Sequence, residues 1–144
     1  MVMKFSKTRL YVPELNNLSY NNQSGVISGC VVTEQSPLAL GVTVSSGSLL
    51  FNNSIVSVTT QNVSITTPDP LYKRWDLVLV DSSGIVSVLA GTPATLHKTP
   101  TYDPDVYYCI AMIEVRAGAS SVVNSDLRDT TIKTNSTTGI ANFK

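Results

Sequence analysis

The chain has 144 residues, enough for one sizeable core and short of what two independent domains need. Charged residues make up 14% of it, the formal net charge is zero and the basic residues are scattered, which argues against nucleic acid as the main partner, since phosphate binding needs accumulated Lys and Arg. No run of about 18 apolar residues is present, so no membrane-spanning helix is predicted, and Lys4, Lys7 and Arg9 lead into Tyr11, Pro13 and Glu14 instead of the apolar stretch of a secretory signal.

Residues 1–25 have no sustained period and read as an extended arm with one short strand near Arg9 to Val12. Gly25 to Glu34 reads as a strand broken by Gly29, the mark of a bulge or a close backbone approach. Leu38, Leu40, Val42 and Val44 then alternate with small or polar residues, which predicts a half-buried strand with those four side chains facing inward. Ser45 to Ser48 turns the chain, Leu49 to Phe51 returns, and Asn52-Asn53 turns it again. Ile55 to Thr60 follows with Val56 and Val58 on one face, and Gln61 to Thr66 with Val63 and Ile65 on one face, ending at Pro68 and Pro70.

Lys73 to Gly91 is the most informative run. Trp75 to Val80 and Ile85 to Leu89 are β-branched, aromatic or aliphatic at nearly every position, and Asp81-Ser82-Ser83-Gly84 lies between them. An Asp carboxylate folds back onto nearby backbone N–H groups and Gly accepts positive φ, so a β-hairpin is predicted here. Residues 92–104, with Pro93, Pro100 and Pro104, read as an extended surface connection. Asp105 to Arg116 is a second strong strand, apolar on both faces. Strict alternation places Tyr107, Cys109, Ala111, Ile113 and Val115 on one side and Tyr108, Ile110 and Met112 on the other. A strand of that kind lies mid-sandwich or offers its second face to another subunit, which makes Tyr108, Ile110 and Met112 the candidate subunit-interface residues. Ala117 to Ser121 turns the chain, Ser121 to Val123 is a short strand, Asn124 to Asp129 is a tight turn with an ionic pair, and 130–144 is a polar tail anchored, if at all, by Ile140 and Phe143.

No segment has the period of a three-turn amphipathic helix. Seven to ten short strands at this spacing predict an all-β fold, an antiparallel β-sandwich or squat barrel over 26–129, with extended arms at 1–25 and 130–144.

No catalytic group, cofactor or metal site is predicted. His97, the only histidine, stands in a polar connection and reads as a solvated imidazole. Asp69, Asp103 and Asp105 lie beside prolines and read as turn formers before Ca²⁺ ligands. Asp76 and Asp81 fall on opposite faces of one strand, so they make no carboxylate pair. Cys30 and Cys109 read as buried free thiols, a bridge between them being the lesser alternative. Trp75 and Tyr102 are the candidate aromatics for stacking on a sugar; packing in the core or in a subunit contact is the commoner use of such rings.

The blocks LGVTVSSGSLLF, KRWDLVLV, DSSGIVSVLAGTPA, YYCIAMIEVRAGAS and DLRD, in this order between about Gly29 and Asp129, resemble a module of tailed-phage and related viral structural proteins. That module stands at the base of tail fibres and in baseplate or tail-tip adaptors. Tyr107-Tyr108-Cys109 departs from it, occupying ground that usually reads small and aliphatic. The resemblance implies a non-enzymatic virion component, assembled in the host cytoplasm as a homo-oligomer, most simply a trimer, with other virion proteins as partners and no membrane insertion. It also implies that Arg74 or Arg128 pairs with Asp76, Asp126 or Asp129 where strand ends meet. A carbohydrate- or receptor-binding module displayed on the particle, taking a host-surface glycan, is the alternative.

Overall fold

A computed structural model of the chain describes residues 24–96 and 98–133. The expected strand near Arg9 to Val12, nearly all of the first arm, His97 and the stretch from 134 onward lie outside the described residues.

Among the described residues there are ten strands: β1 Gly25–Gly29, β2 Val32–Glu34, β3 Gly41–Val44, β4 Gly47–Phe51, β5 Ser54–Val58, β6 Gln61–Ser64, β7 Arg74–Asp81, β8 Val86–Leu89, β9 Tyr107–Val115 and β10 Leu127–Asp129. They form three antiparallel sheets, ordered β1-β4-β5, β2-β3-β6 and β10-β9-β7-β8, which are not closed into a barrel. The fold is therefore all-β and of the sandwich kind, as the pattern of short strands and turns predicts.

The first two sheets are one three-stranded meander bent through a corner. The stretch 41–51 lies in the middle, flanked by 25–34 and by 54–64, and each of the three runs from one sheet into the other. At the bend Gly29 pairs with Gly47, Ser45 N–H donates to the Val31 carbonyl at 2.9 Å, and Gly29 and Cys30 both hold positive φ, 59° and 56°. A Cβ on Gly29 would lie 2.0 Å from the Ser46 carbonyl oxygen, and one on Gly47 would lie 2.2 Å from that of Ser28. The bend is tight because neither strand carries a side chain where the two backbones meet.

One core joins all three sheets. Val26, Leu49, Phe51, Val56 and Val58 come from the first, Val42 and Val44 from the second, and Val78, Val80, Ile110, Ala111, Ile113 and Val115 from the third. Where the second and third sheets approach, side chains replace the missing ladder. Gln61 accepts the Val86 N–H at 3.1 Å and donates to the Gly84 carbonyl at 3.0 Å, so its amide imitates a strand partner. On the other side, Glu34 N–H donates to Asn124 Oδ1 and Asn124 N–H to Glu34 Oε1, each at 2.8 Å.

The central hairpin follows its chemistry. Asp81 Oδ1 accepts the N–H groups of Ser83 and Ile85 at 2.9 and 3.0 Å, and Gly84 sits at φ 81°. Asn52 and Asn53, at φ 51° and 66°, make the two-residue turn between β4 and β5.

Three expectations need correction. Leu38 is 51% exposed, because β3 starts only at Gly41 and the chain before it is still bending. The segment expected as a short strand at Ser121 to Val123 leads instead into a 3₁₀ turn at Asn124–Asp126. Past β10, Thr130 to Lys133 are tied to both neighbouring sheets: Ile132 N–H donates to Tyr108 Oη at 2.9 Å, and Val26 N–H to the Ile132 carbonyl at 2.7 Å.

The third correction concerns β9. Val78 pairs with Ala111 but Leu79 pairs with Cys109, so Ile110 is an extra residue, a bulge. Alternation breaks there. Tyr108, Ile110, Ala111, Ile113 and Val115 pack with the main core, whereas Tyr107, Cys109 and Met112 meet Leu77, Leu79 and Leu89 on the outer face of the same sheet. Tyr108, Ile110 and Met112 therefore do not share a face, and Ile110, only 1% exposed, is used up inside its own chain.

Candidate functional site

The outer face of the four-stranded sheet is where the sequence left an apolar surface without a partner. Across it the register aligns Arg128, Met112, Leu77 and Leu89 in one row, Cys109 and Leu79 in the next, and Glu114 with Trp75 on the other flank. Leu77, Leu79 and Cys109 are nonetheless buried. Part of their cover comes from the proline-bearing connection, whose Thr99, Pro100 and Tyr102 stand over Leu77, Cys109 and Met112. The second apolar face of β9 is thus largely satisfied within the chain.

The cover is incomplete. Between connection and sheet lies a cavity of about 350 Å³, closed along one side by Tyr108, Thr130 and Ile132. That is the lower end of the range for small-ligand sites. Its walls are mostly apolar, and two of its polar groups are engaged: Thr130 Oγ1 donates to the Cys109 carbonyl at 3.0 Å and Tyr108 Oη accepts the Ile132 N–H. Burial pushes the Cys109 thiol and the Tyr108 hydroxyl above their ordinary values, so both stay protonated at neutral pH. Tyr102, one third exposed at the rim, is likewise raised, chiefly by burial and then by Cys109.

Of the residues singled out from sequence, the cavity gathers Tyr102, Tyr108 and Met112. Trp75 is elsewhere, half-buried opposite Glu114, so it lines no common platform with Tyr102. Cys30 and Cys109 are both free and buried. Asp69 and Asp103 accept backbone N–H groups two residues on, as turn formers do. Among the described residues no group of three or more His, Cys, Asp and Glu side chains is placed to hold a metal ion. A second cavity, about 330 Å³, opens between β2 and β10, with Cys30, Ile110 and Leu127 below and Arg128, Asp129 and Lys133 at the rim.

The charged positions form knots. Arg74 and Asp76, both buried, make a two-pronged pair at 2.8 and 3.1 Å; Arg74 also donates to Thr66 and Thr67, and Asp76 Oδ1 accepts the Gly91 N–H at 3.1 Å. Asp126 holds Arg116 at 2.9 Å and the Val123 N–H at 3.0 Å. Arg74–Asp76 is one of the expected Arg–Asp pairs, whereas Arg128 reaches Glu114 at 3.1 Å and Lys73 holds the other oxygen of Glu114. Sequence reasoning missed Gln61, Asn124 and Glu114, because nothing local marks a polar side chain whose partner is tens of residues away.

Asp129 gives this edge a pH dependence. Hydrogen bonds from Thr131, side chain and backbone, hold its carboxyl below the usual Asp value. A lowered folded value means that the contribution is fully present above the unfolded Asp value, about 3.9, and is lost as pH falls through the folded one. Hydrogen exchange at Thr131 to Lys133 is therefore expected to accelerate below about pH 4, beyond the change in chemical exchange rate. Asp129→Ala should remove that acid step; an unchanged step in the variant would show that another group controls it.

Compared with known protein families, characterised proteins and solved structures, the chain has no match.

Proposed function

We propose that this domain is a structural component of a virus particle, of the tail, baseplate or capsid-associated adaptor type, and that it acts by assembling with copies of itself and with other virion proteins. The observation that carries the reading is the use made of the charged blocks behind the resemblance. KRWD and the strand that closes on AGT meet in one buried knot, Arg74–Asp76–Gly91, and DLRD supplies Asp126 to a second. These charged residues lock strand ends, as suits a rigid scaffold. Val26 and Lys133 also pair side by side and parallel, so the chain enters and leaves the domain in the same direction along one edge, a suitable arrangement for a connecting module.

Native mass spectrometry of the full chain at micromolar concentration and neutral pH is expected to give a defined multiple of 15.5 kDa, most simply three copies. A monomer under those conditions, with the fold intact, overturns the reading.

A further inference from the structure

The cavity between β2 and β10 lies between two sheet edges. β2 ends one sheet and β10 another, and among the described residues no main-chain hydrogen bond joins the two. Strand alternation shows which groups face the gap. On β2 the Val31 carbonyl accepts Ser45 N–H on the β3 side, and Glu34 N–H turns the other way, to Asn124. The N–H and C=O of Val32 therefore also point away from β3. On β10, Thr130 N–H donates to the Ile110 carbonyl of β9, so the N–H and C=O of Asp129 point away from β9. Val32 and Asp129 both line the cavity, above a floor of Cys30, Ile110, Ala111 and Leu127.

A main-chain donor and acceptor on each wall, over an apolar floor, match one kind of occupant. Two consecutive residues of an extended chain turn one N–H and C=O pair to one side and the next pair to the other, and send one of their side chains downward. We infer that this gap is a strand-acceptor slot. An extended segment of another polypeptide seats there, bonded through its main chain to Val32 on one side and Asp129 on the other, with an aliphatic side chain on the floor. A seated strand needs about 9.5 Å between its neighbours, twice the sheet spacing. Cα atoms of β2 and β10 come within 8 Å of each other, so the seam widens to admit it. The Glu34–Asn124 exchange, made through side chains at 2.8 Å, is the contact that yields. The inference rests on the assembly reading for the source of the segment, but a synthetic segment tests it, so either can fail alone.

The probe is the capped peptide acetyl-Thr-Val-Thr-Val-Thr-amide, titrated into the full chain at millimolar concentration and followed by amide resonances and hydrogen exchange. Saturable shifts are expected at Val32, Asp129 and Glu34. At about nine-tenths saturation Val32 N–H should exchange about tenfold more slowly, since only the unbound fraction exchanges. The same peptide methylated at its amide nitrogens has no donors and should leave all three resonances in place. Val32→Pro deletes the donor on β2 that faces the gap and should weaken binding about fivefold, the worth of one hydrogen bond. The methylated comparison uses the native chain, so it decides the matter whatever Val32→Pro does to folding. No saturable shift, equal shifts with the methylated peptide, shifts centred on Val86 and Val88 at the other seam, or undiminished binding by folded Val32→Pro overturns the inference.

Discussion

Gly29→Ala is expected to destabilise the fold by about 2–5 kcal/mol, among the largest effects of any single-methyl change in this chain. Two costs add. The residue holds φ 59°, a region that charges an L side chain about 1–2 kcal/mol. The new Cβ would also lie 2.0 Å from the Ser46 carbonyl oxygen and 2.8 Å from Gly47 Cα, both backbone atoms that no side-chain rotation relieves. Two further variants separate the terms. Gly118 has φ 65° with its nearest neighbour 3.9 Å away, so Gly118→Ala carries only the conformational cost, about 1 kcal/mol. Gly47 lacks the positive φ but meets Ser28 O at 2.2 Å, so Gly47→Ala carries only the steric one. Urea midpoints at constant slope give the comparison. If Gly29→Ala costs no more than Gly118→Ala, the corner does not depend on close backbone approach and the account of the bent meander is wrong.

Asp76→Ala is expected to cost about 3–5 kcal/mol. Asp76 is wholly buried on the core face of β7, and removing it leaves the Arg74 guanidinium without its carboxylate and the Gly91 N–H without its acceptor. The loss comes mostly from the group left behind, because an isolated buried cation is far worse than a paired one. Asp76→Asn keeps one acceptor oxygen and should fall well short of the full loss. Arg74→Met combined with Asp76→Leu removes both charges; it should recover part of the Asp76→Ala deficit, and only part, because Thr66 and Thr67 still lose the donors that Arg74 supplies. Equal stability of Asp76→Ala and the native chain would mean that the knot is open to water in solution.

Some of this was legible in the residues themselves. The Asp81 to Gly84 turn, the Asn52-Asn53 turn and the inward sets Val42/Val44 and Val56/Val58 each depend on neighbours a few positions away, so composition and period were enough. Gly29 announced a close approach without saying to what. The candidate site was legible only as a surplus: the sequence showed that β9 is apolar on both faces, but not that its own 92–104 connection covers part of the second one.

Three features were settled by the tertiary structure alone. Whether Ile110 faces Met112's side or Ala111's depends on one residue of slip against β7, and a bulge leaves no mark in a run where every residue is apolar. Gln61 and the Glu34–Asn124 exchange close seams between sheets that meet only after folding. Arg128 finds Glu114 instead of an aspartate because antiparallel register, not closeness in sequence, decides which charges face each other. The chain by itself thus determined its all-β character, its turns and the inward sets of its main core, all products of local conformational preference and hydrophobic period. Pairing, and with it which apolar surface stays open, was decided by contacts across long loops, where sequence separation carries no information about distance.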